Sequence, residues 1–366
     1  MEKYLVKEKH WLSERDYLTG LALAQMLPGA TFVSLVVYGG YKVRGLAGAL
    51  TGFFAFLTAP FVIMLLFSHV YFTYGLLPEI GLIFHAMAVI VTGILAQAVI
   101  TVGRYSVTDS RGVVLALAAA GMQLFYPNIF LLLLFSAAAG VGLYYPVQKT
   151  PGDFAFRGRE NAADTRCVFG RDSLVLLGGS LVAAVFLLSA QKALFQLAGV
   201  FFKMGFCLFG GGFSMLPFIQ QEVVNQYHWL TVDEFFSGIA LSQVTPGPVT
   251  ILAAFAGYKA VGFSGAVVAT LAIYLPSLFL VVIAVGCFHR IENNPWIHAA
   301  LQGVRAAFAG MIAATVAAMM HYALQDQLSL LAAAMTFIVL EYVKLNIICT
   351  VFGGTALYYF ILLSGK

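Results

Sequence analysis

Two stretches, Gln25-Met-Leu-Pro28-Gly29 and Gln243-Val-Thr245-Pro246-Gly247-Pro248, set a glutamine just ahead of a Pro-Gly pair inside otherwise apolar runs. Proline interrupts a helix because it lacks an N–H, and glycine because its backbone is unrestrained. In hydrocarbon such a break frees N–H and C=O groups that lipid cannot satisfy, so it persists where it faces a cavity or a bound solute. Residues from Ala30 and Pro248 onward would start new half-helices, whose open N–H groups and dipole favour an anion. Gln25, Gln243, Thr31, Ser34, Thr245 and Thr250 add neutral donors that can hold an oxyanion without burying a charge. Lone prolines such as Pro60 and Pro276 read as packing kinks.

Other residues could join that chemistry. The run Gly210-Gly211-Gly212 could fold into a nest of backbone N–H groups around the same anion, although glycines equally permit close helix packing. Arg305 sits within the apolar stretch 300–310. It is either a planar donor fork facing a cavity or a side chain snorkelling from a helix that begins near it. Lys42 and Lys259 follow each broken segment at equivalent positions and read as interface anchors or entry-funnel charges. Glu222 is the most plausible proton carrier if transport is proton-coupled, with an exposed interfacial carboxylate as the plain alternative. No H-E-x-x-H, G-x-S-x-G or Walker loop is present. Four separated cysteines argue against zinc, iron–sulfur and disulfide sites. No metal, cofactor or nucleotide is expected.

The elements that must position these residues are membrane helices. Of 366 residues, 61% are hydrophobic and 10% charged, whereas a soluble domain carries roughly 25% charged residues. The apolar runs are continuous and rich in Ala, Leu and Gly, which excludes the alternating strands of a membrane β-barrel. At about 20 residues per crossing, the length allows roughly ten to twelve membrane segments. The expected fold class is an all-α polytopic membrane protein with Pro/Gly-broken, re-entrant or discontinuous helices. The net charge of +4 is scattered, so nucleic acid is not an expected partner. No cleavable signal peptide is expected, because 1–16 is charged.

An internal repeat sets the architecture. Trp11–Gly29 aligns with Trp229–Gly247 with eight identities in 19, and Leu35–Ala49 with Leu252–Ala266 with seven in 15. Residues 1–146 form the first repeat, 147–172 a polar linker and 173–366 the second repeat. The Phe/Gly-rich element before Trp229 has no counterpart in the first repeat. Lys3, Lys7, Lys9 and Arg15 precede the first broken segment, while the matching 219–234 has no Lys or Arg. By the positive-inside rule this difference predicts inverted topology, with 147–172 cytoplasmic. A re-entrant path for 17–41 fits the Lys and Arg distribution better than a full crossing.

The stretch from Phe209-Gly-Gly-Gly through Pro217 and Trp229-Leu-Thr to Gln243-Val-Thr-Pro-Gly-Pro248 resembles the chromate ion transporter family. Leu23–Ser34 and Gly40-Tyr-Lys-Val-Arg-Gly45 are similar to that family's N-terminal repeat. The resemblance covers nearly the whole chain in the long, two-repeat form. It implies a multi-pass inner (plasma) membrane transporter of a small inorganic oxyanion, with chromate efflux proposed and sulfate as a chemical analogue. A passive anion channel, or a membrane enzyme or lipid-handling scaffold, remains the alternative class. Partners expected are the oxyanion and membrane lipid, and a homodimer is left open.

Overall fold

The computed structural model describes residues 3–74, 78–125, 128–145, 192–208, 212–285, 294–324 and 326–364. The linker 147–172, the apolar segment 173–190, Gly210 and Gly211 lie outside the described residues. All regular elements described are helices: α1 (Glu14–Met26), α2 (Thr31–Tyr74), α3 (Pro78–Ser106), α4 (Ser110–Phe125), α5 (Ile129–Tyr144), α6 (Lys192–Phe206), α7 (Val232–Val244), α8 (Leu252–Ala284), α9 (Pro295–Ala323), α10 (Gln327–Ile338) and α11 (Ile347–Ser364). A short irregular helical segment spans 212–226 between α6 and α7.

The two repeats agree down to single hydrogen bonds. Trp11 N–H donates to Leu5 O at 2.9 Å and Trp229 N–H to Val223 O at 2.8 Å, while Leu12 and Leu230 donate to those same carbonyls at 3.3 Å each. His10 and His228, one residue before each tryptophan, both take φ 52°, a left-handed conformation that histidine adopts only sparingly. Ser13 caps α1 by accepting from Asp16 N–H. Thr231 caps α7 by accepting from Glu234 N–H, and the Glu234 carboxylate accepts from Thr231 N–H in return. Both α1 and α7 are 13 residues long and end at the predicted breaks.

Each break is the tip of a hairpin. A Cβ built on Gly20 would strike the Tyr38 ring, and one on Gly238 would strike Leu252 and Phe255. The half-helices on either side of each break therefore run antiparallel. At the open end Lys42 pairs with Asp16 at 3.5 Å and Lys259 with Glu234 at 2.7 Å. The two ends of each hairpin therefore lie close together, the geometry that a re-entrant path would need. A second reversal follows at Arg44–Gly45 (Gly45 φ 57°) and at Val261–Gly262 (Gly262 φ 67°). These reversals pack Gly40 against the Gly48 carbonyl and Gly257 against the Gly265 carbonyl, leaving no room for a side chain.

Five described helices are long and apolar enough to cross a membrane, fewer than the ten to twelve expected from length: 31–74, 81–106, 249–284, 295–318 and 347–364. One of the expected segments, 173–190, lies outside the described residues, and among the described ones several helices are short. A half-helix of 13 residues reaches about 20 Å at 1.5 Å per residue. The 16-residue helices α4 and α5 reach about 24 Å, short of a hydrocarbon core of about 30 Å. Small residues set the closest helix contacts: Gly310 meets the Ala116 carbonyl, Gly140 meets Gly303, and Gly93 meets Ala333 and Thr336. The repeats differ in cover. Helix α6 lies along α8, with Gly205 against Ile273 and Pro276. Accordingly 67% of the residues in the apolar stretch that qualifies 249–284 as a span are buried, against 22% in that of 31–74.

Candidate functional site

The break at 27–30 is held by residues of the second repeat. Gly29, at φ 139°, donates its N–H to Leu208 O at 2.6 Å. Ala30, one residue before α2, donates its N–H to Ser277 Oγ at 2.9 Å inside the protein. A Cβ on Gly29 would overlap Ser277, so only glycine lets the chain approach this closely. An N–H that would be orphaned at the start of a half-helix is therefore satisfied by an oxygen from a residue 247 positions away.

The second break has a different solution. Gly247 rests against the ring of Pro60, whose repeat counterpart is Pro276, the neighbour of Ser277. Each break thus leans on the proline-bearing limb of the opposite repeat. Pro60 and Pro276 are both buried; Pro60 meets the other half of the molecule at Gly247, while Pro276 packs on Gly205 of its own half and its neighbour Ser277 makes the contact across. Position 248, which matches Ala30, is a proline and has no N–H to satisfy; position 61, which matches Ser277, is Phe. The donor and its acceptor are present together in one half and absent together in the other. This pairing is visible in the aligned repeats but only as two unconnected substitutions, which is why sequence reasoning did not single out Ser277.

Arg305 lies ten residues past Pro295, the first residue of α9, or about 15 Å along the helix. A helix that begins near Arg305 is thereby excluded. Its Nη2 donates to Gln25 O at 3.2 Å. That carbonyl belongs to the last turn of α1, where no intrahelical partner exists and the dipole is negative. The Gln25 side chain is exposed, whereas Gln243 is 9% exposed and its Nε2 has no partner among the described residues. Equivalent glutamines therefore sit in unlike surroundings. Ser34 is fully buried and its Oγ also lacks a partner among the described residues.

The remaining predicted residues divide. Gly212 packs on Val249, which brings the end of the Gly-rich element to the second break. Thr31 is half-buried, Pro28 half-buried and Pro246 exposed. Thr245 Oγ1 donates to Ser242 O at 2.8 Å, closing the last turn of α7. The Thr250 hydroxyl is bonded to the buried Tyr274 hydroxyl at 2.7 Å, a contact within the second repeat that the sequence did not reveal. Lys42 and Lys259 anchor the hairpin bases through the ion pairs above, and Lys259 also lies 5.0 Å from the Phe72 ring centroid. Among the described residues no group of three His, Cys, Asp or Glu could hold a metal.

Glu222 lies in the connecting segment between α6 and α7, outside the apolar spans. Burial raises its carboxyl above the ordinary carboxylate range, and Lys203 partly offsets the rise. A raised value means that the folded protein prefers the protonated form. Stability is then full below the ordinary range and falls as pH rises through the raised value. Thermal melts of Glu222→Gln across that window are expected to lack this fall, and parallel curves for both proteins would contradict it.

Two homologous helical units, each with a Pro-Gly hairpin, and five apolar helices long enough to cross a membrane among the described residues define a multi-pass helical membrane protein. The chain belongs to the chromate transporter family, whose model matches residues 1–143 and 195–359. It is 31% identical over 351 residues to the chromate transport protein of Cupriavidus metallidurans, covering 94% of this chain and 83% of that one. It is 31% identical over 330 residues to a probable chromate transport protein of Synechococcus elongatus, covering 89% and 80%. An uncharacterized transporter of Methanocaldococcus jannaschii is 29% identical over 372 residues, covering 99% and 89%. No solved structure matches the chain.

Proposed function

We propose that the protein is a secondary transporter of a tetrahedral oxyanion, chromate with sulfate as an analogue, working by alternating access between two repeats of inverted topology. The observation that carries this reading is the reciprocal docking of two Pro-Gly breaks, each against the proline-bearing limb of the other repeat. Movement of one repeat against the other would open and close both breaks together. In the conformation described, Ser277 Oγ occupies the Ala30 N–H, so the first break is closed. On opening, that N–H would meet an oxyanion oxygen in place of the hydroxyl. Gln243 supplies a buried amide donor and Arg305 a cationic fork at the edge of the first break. Glu222 is the proton carrier of the proposal. The relatives named as chromate transport proteins support the choice of anion.

Flux in proteoliposomes tests the site. Gln243→Ala is expected to lower saturable chromate uptake about tenfold or more, the loss of one hydrogen bond to a charged ligand, whereas Thr245→Ala, whose hydroxyl is already donated to Ser242 O, is expected to have a smaller effect. Unchanged uptake in Gln243→Ala would overturn the assignment. Uptake that fails to saturate and ignores a counter-gradient would indicate a passive channel.

A further inference from the structure

A cleft of about 480 Å³ opens between the C-terminal end of α3 and the end of the α10 limb, and it shares no residue with either Pro-Gly break. Gln97, Thr101 and Arg104 line one wall at helical spacing on α3, while Glu341 and Lys344 line the other. Arg104 Nη1 donates to Glu341 Oε1 at 2.7 Å, which neutralises that pair. Lys344 has no ion-pair or hydrogen-bond partner for its amine among the described residues, so the wall carries one uncompensated positive charge. Its backbone is left-handed, φ 57°, where the π-turn over Val339–Val343 ends with Lys344 N–H on Val339 O at 3.0 Å. A non-glycine residue in that conformation fixes where the amine leaves the chain. Thr101 Oγ1 accepts from Gln97 Nε2 at 2.9 Å, which leaves its own O–H free to donate.

The cleft lies where the apolar span 81–106 ends, flanked by Tyr105 at 83% and Tyr342 at 76% exposure. Exposed tyrosines beside cations at a span end mark the headgroup level of a membrane. Basic pockets between membrane helices at that level bind anionic lipid headgroups. We infer that this cleft holds the phosphodiester of an anionic phospholipid, with Lys344 as its counter-charge and Thr101 as a neutral donor. One negative charge on the headgroup matches the one uncompensated positive charge of the wall. The residues of the proposed transport site take no part in it.

Native mass spectrometry of the purified full-length protein, titrated with phosphatidylglycerol, phosphatidylcholine or inorganic phosphate, tests the inference. Phosphatidylglycerol is expected to be retained about fivefold better than phosphatidylcholine, the effect of one lysine at an anionic surface. Lys344→Asn should erase that preference, because asparagine tolerates the left-handed backbone while removing the charge; Lys344→Arg should keep it. Thr101→Val, which leaves both charges in place, should lower retention without erasing the preference, and it serves as a second variant if Lys344→Asn does not fold. Equal retention of both lipids by the unaltered protein would overturn the inference, as would an unchanged preference in Lys344→Asn. Displacement of the lipid by millimolar inorganic phosphate would overturn the lipid assignment in favour of a soluble anion.

Discussion

Arg305→Gln is expected to lower oxyanion flux by about 10- to 100-fold while leaving the protein folded. The guanidinium donates to Gln25 O at 3.2 Å from a half-buried position on α9. Two roles are combined there. One is to satisfy a carbonyl at the end of α1, which any N–H donor can do. The other is to present a permanent positive charge beside the first break, which only Arg or Lys can do. Glutamine keeps the first role and removes the second, so a loss of flux with an unchanged melting temperature isolates the charge. A hydrogen bond to a charged ligand contributes about 1.5–3 kcal/mol, which sets the size of the expected loss. Arg305→Lys should fall between the two, since its ammonium keeps the charge but not the fork. Transport by Arg305→Gln at the unaltered rate would remove Arg305 from the site.

The second large effect concerns the seal of the first break. Ser277→Ala leaves the Ala30 N–H buried without an acceptor, a cost of about 1–3 kcal/mol. Ala30→Pro removes that donor, as Pro248 does in the second repeat, where the backbone takes φ −73° and ψ 143°. The double variant Ala30→Pro, Ser277→Ala is therefore expected to recover much of the stability lost in Ser277→Ala. A coupling energy above about 0.5 kcal/mol in the double-mutant cycle would register the contact, and purely additive losses would rule it out as a stabilising element. If Ser277 also stands in for substrate oxygen in the closed state, Ser277→Ala should change the apparent affinity for chromate as well as the melting temperature.

Local sequence carried the helices, the two Pro-Gly breaks and the duplication, because each depends on residue types within one or two turns. Trp11 and Trp229, the caps Ser13 and Thr231, and Lys42 and Lys259 recur in register, and the structure builds the same turn, cap and ion pair from each set. The unequal surroundings of Gln25 and Gln243 were beyond reach. In a chain this apolar, hydrophobic periodicity does not distinguish a helix face that meets protein from one that meets lipid. Thr250 illustrates the same limit, since its hydroxyl is paired with Tyr274 across a fold of the chain that composition does not encode.

What the sequence determined by itself was the material: two copies of one apolar unit, each interrupted at a Pro-Gly pair and each followed by a lysine. What the tertiary structure decided was where groups released at the first interruption find their partners. The Ala30 N–H meets a hydroxyl 247 residues away, and the Gln25 carbonyl meets a guanidinium 280 residues away. A backbone group freed inside a low-dielectric bundle must find a partner wherever the packing supplies one. That choice is made by how the two repeats dock, not by the residues adjacent in the chain.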